Sequence, residues 1–269
     1  MRKYIPTACR SNWLNIVCCL IISISAAPAG AAAVAAPAIA AAADLKFALP
    51  EIAQAFERDS GRKLRLSFGS SGMFAQQIIQ GAPFELFFSA DEHYVEMLRI
   101  AARSENNGRL YAVGRIALFI PNGSPLHADR DLRDLAAAAR DGRLKHLAIA
   151  NPAHAPYGRA AREALQHLGI WDALSDKLAL GENAAQAAQF ATSGSAQAAI
   201  MPLSLARAPD LATRGAFVTV PESWHAPLRQ RMVLIKGAGA TARQFYAFMQ
   251  APAARAILGR HGFATMAEP

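Results

Sequence analysis

The sequence predicts an α/β protein of two lobes, each a mainly parallel sheet with helices on both faces. Three observations predict it. Apolar strand-like runs alternate with helix-period stretches in a β-α-β-α-β-α order between residues 38 and 103, the pattern of a parallel sheet covered on both sides. After residue 115 strands and helices alternate again, and a strand followed by a long helix resumes after Pro221. The 269 residues are 53% hydrophobic and 18% charged, enough apolar material for two cores and far from a disordered composition.

The chain opens with Arg2, Lys3 and Arg10, followed by an apolar run over residues 13–24. Ala27-Pro28-Ala29 and Ala29-Gly30-Ala31 then offer small-x-small cleavage patterns. This is the layout of a secretory signal peptide, residues 1–31, removed near Ala31 on export. The apolar run is shorter than the roughly 20 residues that cross a bilayer as a helix. Cys9, Cys18 and Cys19 all lie in this segment, so the mature chain is expected to lack disulfides, thiolate metal sites and cysteine nucleophiles. The 28 Lys and Arg outnumber the 20 Asp and Glu, but three of the cations precede the first acid, Asp44. No block of five basic residues occurs, and nucleic acid is not an expected partner.

Residues 38–43 read as a small-residue strand. Leu49, Ile52, Ala53 and Phe56 mark a helix face that ends at Ser60-Gly61, with regular helix starting near Pro50 after an irregular turn over 44–49. A strand over 64–68 is broken by Gly69-Ser70-Ser71-Gly72, and a helix follows over 73–80. A turn at Gly81-Ala82-Pro83 leads to a strand at 85–89 and a helix at 91–103. Further strands are expected at 115–121, 146–150, 197–201, 217–221 and 232–235. Helices are expected in the Ala- and Arg-rich stretch after residue 125 and over 158–168, 183–191 and 241–258, the last broken before Pro252. Lobe one then comprises residues 32–114 and 222–269, and lobe two residues 115–221.

Ligands of open α/β sheets sit beyond the carboxyl ends of strands, where helices begin. Three such corners stand out. Phe68-Gly69-Ser70-Ser71-Gly72 places glycines and two hydroxyls at a helix start, suited either to an anion or to a plain helix cap. Asn151-Pro152-Ala153-His154-Ala155-Pro156-Tyr157-Gly158 starts a helix at a proline and leaves the Tyr157 N–H without a helical partner. Gly181-Glu182-Asn183-Ala184 is a third helix start, with Asn183 as a natural cap. None matches a nucleophile elbow or a phosphate loop.

The seven histidines show no metal-face spacing. A Ser71, His154 and Asp44 relay can be drawn but has no supporting motif, so no enzyme is expected. Asp44 with Tyr157 could alternatively hold a hard metal ion.

The chain resembles the periplasmic molybdate-binding proteins of ABC transporters. The resemblance rests on Ala41-Ala42-Ala43-Asp44-Leu45, on Ser67-Phe68-Gly69-Ser70-Ser71-Gly72 and on the run from Gln77 through Gly81-Ala82-Pro83 to Ser89-Ala90-Asp91. It continues through Asn151-Pro152 to Gly158, Glu163-Ala164-Leu165, Leu168-Gly169 with Trp171, Glu182-Asn183 and Arg260-His261-Gly262-Phe263. It implies a two-lobed periplasmic binding protein of type II, a monomer with no cofactor, that passes molybdate, tungstate or a similar oxyanion to a membrane permease. It implies Ser70, Ser71, Tyr157, Ala184 and the Asp44 position as the ligand-binding set, with backbone donors at Tyr157 and Ala184. Two positions depart from the pattern. Pro202 stands where many members have a tyrosine donor, and Asp44 where a serine or asparagine is usual. Asp44 could cap the following helix beside Lys46, carry a proton, or accept one from a protonated oxyanion such as phosphate or arsenate. The runner-up readings are therefore a protonated-oxyanion binder and a metal-ion binder.

Overall fold

The computed structural model describes residues 35–264. Its first stretch runs β1 (Ala38–Ala42), a 3₁₀ turn (Ala43–Leu45), α1 (Ala48–Ser60), β2 (Arg65–Gly69), α2 (Ser71–Ile79), β3 (Leu86–Ser89), α3 (His93–Ile100) and β4 (Arg109–Gly114). The chain then enters a second set: β5 (Ile116–Pro121), α4 (Arg133–Asp141), β6 (Leu147–Ala150), α5 (Pro156–His167), β7 (Leu178–Gly181), α6 (Ala184–Thr192), β8 (Ala198–Pro202), α7 (Leu203–Ala206), α8 (Pro209–Ala212) and β9 (Gly215–Thr219). It returns with β10 (Leu228–Leu234), α9 (Ala240–Phe248) and α10 (Pro252–Arg260).

Two five-stranded sheets result, ordered β2-β1-β3-β10-β4 and β7-β6-β8-β5-β9. Position for position the orders are the same, although no repeat shows in the sequence. In each sheet four strands point one way and one is reversed, β10 in the first and β5 in the second. Each sheet is thus mainly parallel in strand direction, as expected, with one reversed strand inserted. The reversed strand is in each case the first one laid down after the chain crosses from the other sheet.

Alternation along the central strands explains the layers, since successive side chains point to opposite faces. Ile39, Ala41 and Phe88 pack with Leu49, Ile52 and Phe56 of α1 and with Phe245 and Leu258 from the last two helices. Ala40 and Phe87 face the other way, onto Phe74 and Ile78 of α2 and Leu98 of α3. The alanine run is thus the central strand β1, hydrogen-bonded on both edges. The second sheet is covered by α5 and α6 through Ala160, Ala161, Ala164, Ala187 and Ala188, small residues that let the helices lie close.

Several boundaries differ from expectation. Helix α3 stops at Ile100 rather than reaching 103, because Ala102 is left-handed (φ 53°). The Arg103 N–H reaches back to Leu98 O and the Ala102 N–H to Arg99 O, a Schellman stop made without the usual glycine. Strands β4 and β7 fall outside the expected set; both are sheet edges, where one ladder suffices and apolar signal is weak. Strand β9 ends at Thr219 rather than 221, set by its ladder to β5. Strand β10 begins at Leu228 rather than 232, because Arg229, Gln230 and Arg231 look polar yet pair with β4 through a bulge.

Candidate functional site

Three helices point their amino ends at one place between the sheets. Ser71 is the first residue of α2, Tyr157 the second of α5 after Pro156, and Ala184 the first of α6. First-turn N–H groups have no partner within their own helix, and the helix dipole adds partial positive charge there. The 3₁₀ turn carrying Asp44 completes the ring. Asp44, Ser70, Ser71, Tyr157 and Ala184, the five residues singled out in the sequence, all line a single small cavity of about 10 Å³, together with Gly69 and Ala90. Ala42, Ala43 and Ala90 of the first lobe join the apolar core of the second, so the lobes are closed upon each other. A larger groove of about 670 Å³ lies elsewhere, beside Ala191–Ser193. There α6 presents its carboxyl end, the wrong polarity for an anion.

The hydroxyls are not equivalent. Ser71 Oγ accepts the Ala90 N–H at 3.0 Å, which leaves its own proton free to donate into the cavity. Ser70 occupies the cap position of α2 but makes no side-chain cap. Its hydroxyl donates to His154 O at 2.5 Å and lies 2.9 Å from His154 Nδ1, bridging the lobes instead. The Gly72 N–H also donates to His154 O, at 3.0 Å. On α6 the Asn183 side chain caps the N–H groups of Ala185 and Gln186, so the Ala184 N–H is the amide left to face out.

Asp44 is buried, 1% exposed. Its Oδ2 accepts Gln230 Nε2 at 2.6 Å and the Tyr157 hydroxyl at 3.0 Å, while Gln230 Nε2 also reaches Tyr157 Oη at 2.9 Å. Ser204 donates to the Asp44 carbonyl at 2.7 Å. Burial pushes the Asp44 carboxyl up to about 6, against the lowering effect of the Gln230 and Tyr157 hydrogen bonds. Asp44 therefore does not cap α1, whose cap residue is Phe47 and has no side-chain bond. The Tyr157 phenol is raised well above its ordinary value by burial and then by the Asp44 charge. No group of three or more His, Cys, Asp or Glu that could hold a metal occurs among the described residues.

The drawn Ser71, His154, Asp44 relay is not assembled: His154 meets Ser70, and the Asp44 carboxyl meets Tyr157 and Gln230. Pro202 ends β8 and does not line the cavity, so nothing stands in for the absent tyrosine at that position. Sequence reading missed Gln230, because a lone glutamine between two arginines carries no motif. It also missed Gly114, where a Cβ would sit 2.3 Å from Tyr157 Oη and 2.7 Å from Gln230 Nε2. Across the lobes, Arg159 of α5 pairs with the buried Asp91 of the first lobe at 2.8 Å.

Comparison with known proteins agrees with this geometry. The molybdate-binding protein ModA of Azotobacter vinelandii is 35% identical over 248 residues, 91% of this chain and 96% of that protein. ModA of Escherichia coli is 31% identical over 94% of this chain and 98% of its own. The solved structure of the Azotobacter vinelandii periplasmic molybdate-binding protein superposes with a TM-score of 0.79, covering 86% of this chain and all of that one at 28% identity. Residues 38–264, nearly every described position, match the family profile, and the chain belongs to the bacterial extracellular solute-binding proteins.

Proposed function

We propose that this chain is the periplasmic component of an ABC importer, closing its two lobes on a tetrahedral oxyanion, molybdate or tungstate, and presenting it to a membrane permease. The observation that carries the reading is the convergence of the α2, α5 and α6 amino ends, drawn from both lobes, on one buried cavity. Oriented N–H groups and a serine hydroxyl hold a dianion without a cation, and the geometry of such donors selects a compact tetrahedral ligand. Ser71 donates through its hydroxyl, Tyr157 and Ala184 through their backbone N–H groups, and Ser70 ties the lobes at His154. Closure around the ligand then marks the loaded state for the permease by shifting the population of closed molecules.

In this reading residues 1–31 are a signal peptide cleaved near Ala31, residues 32–114 with 222–269 form the first lobe, and residues 115–221 form the second. The mature protein acts as a monomer and performs no catalysis. Calorimetry with molybdate, tungstate, sulfate, phosphate and arsenate tests it, beside elemental analysis of protein purified from the periplasm. Molybdenum or tungsten in the purified protein, and tightest binding to molybdate or tungstate, is the expected result. Tightest binding to phosphate or arsenate, or to a transition-metal cation, refutes it.

A further inference from the structure

The described residues place a carboxyl group in the wall of a cavity otherwise built from neutral donors, and nothing neutralises it. Asp44 Oδ2 is satisfied by Gln230 and Tyr157, but Oδ1 is fully buried and has no hydrogen-bond partner among the described residues. No Lys, Arg or His forms an ion pair with Asp44 among them. The titratable groups that act on it are Tyr157 from α5 and Tyr111 from β4, both phenols whose ionisation burial opposes. The other neighbours are uncharged: Gln230 from β10, the Ser204 hydroxyl on the Asp44 carbonyl, and the backbone N–H groups of Asp44 and Leu45. Lys46 is exposed and turned toward a separate crevice beside Ala185 and Leu205.

An ionised Asp44 would therefore be a buried, uncompensated charge touching the same space as a dianion. Such contacts are strongly repulsive away from bulk water. A proton on Oδ1 removes the repulsion and converts the orphan acceptor into an O–H donor on a residue that lines the cavity. We propose that Asp44 determines specificity as a neutral carboxylic acid: the protein binds its oxyanion together with one proton drawn from solvent, and the Asp44 O–H donates to the ligand. This rests on the oxyanion reading above and adds the proton as a second, obligatory ligand.

The direction follows from linkage. In the ligand-free protein burial already holds the Asp44 carboxyl at about 6, above the ordinary carboxylate value. A dianion beside it raises it further. Between the ligand-free and the loaded-form values binding takes up one proton, and each unit of pH weakens the apparent affinity about tenfold.

The test is titration calorimetry of the mature protein with molybdate at pH 7.5 in buffers of different ionisation enthalpy, plus Kd at half-unit steps from pH 6 to 8. Close to one proton taken up per molybdate, with affinity falling about tenfold per pH unit, is expected. D44N, whose amide donates without titrating, is expected to bind with no proton uptake and a flat profile. Molybdate binding with no proton uptake by the unaltered protein overturns the proposal while leaving the oxyanion reading intact. So does an unchanged proton uptake in D44N with native circular dichroism. Failure of any oxyanion to bind, with another solute bound instead, overturns both. The uptake by the unaltered protein decides the matter even if D44N does not fold.

Discussion

Replacing Asp44 by asparagine should change how the ligand-free protein responds to pH, and the structure sets the size. Burial raises the Asp44 carboxyl from an ordinary 3.8 to about 6. Its ionised form is the disfavoured one, so the unfolded chain releases this proton first as pH rises. Stability is accordingly lost as pH climbs from about 4 through 6, and the loss levels off above that. A rise of this size, at 1.36 kcal/mol for each tenfold change in proton affinity, corresponds to roughly 3 kcal/mol across the window. The substituted side chain in D44N would keep the Tyr157 and Gln230 bonds through its amide oxygen and would not titrate. The difference in unfolding free energy between D44N and the unaltered protein should therefore move in favour of D44N by about 3 kcal/mol between pH 4 and pH 8. For a chain of this size that is roughly 6–10 °C in Tm. Using the difference matters, because Glu51, Glu92 and Asp134 have lowered pKa values and push stability the other way at acid pH. Urea denaturation at five pH values measures it. Parallel pH profiles for the two proteins would refute the claim that Asp44 is buried without a counter-charge.

Three further outcomes are expected. G114A forces a methyl to within 2.3 Å of Tyr157 Oη and 2.7 Å of Gln230 Nε2, and urea melts should show a loss of about 2 kcal/mol, in the range of core overpacking. R159A strips the cation from Asp91, whose side chain is 5% exposed, and stopped-flow release should show oxyanion leaving about tenfold faster, with little change in the rate of capture. A102G relieves the left-handed alanine that ends α3 (φ 53°), and thermal melts should show a gain of about 0.5 kcal/mol, since glycine carries no Cβ penalty there.

The three corners were legible because each combines a strand end, a helix start and small residues, all of which are local signals. Ser71, Tyr157 and Ala184 could be found that way, and they share one cavity. What local signals do not carry is pairing at distance. Gln230 lies 186 residues from Asp44 and meets it only because β10 is threaded between β3 and β4. Ser70 looks like a cap or a ligand donor in the sequence, and its use as a bridge to His154 depends on how the lobes meet. The edge strands β4 and β7 escape notice because a strand with one neighbour needs little apolar pattern. Helix α3 ends early on an alanine in a conformation that sequence rules assign to glycine.

The threading of β10 also fixes an order of completion during synthesis. A chain growing from its amino end has every strand of the second sheet in hand at Thr219. The first sheet lacks a member until Leu234, and the missing strand is an inner one: β4 is hydrogen-bonded to β10 and to no other strand of its sheet. The later-made lobe is thus the first that can finish folding. The earlier-made lobe must wait with β4 unpaired and β3 open along one side, an exposed edge of the kind that invites pairing with other chains. Whatever holds the nascent protein soluble has its task set by that interval, which lasts until the last residues of β10 emerge.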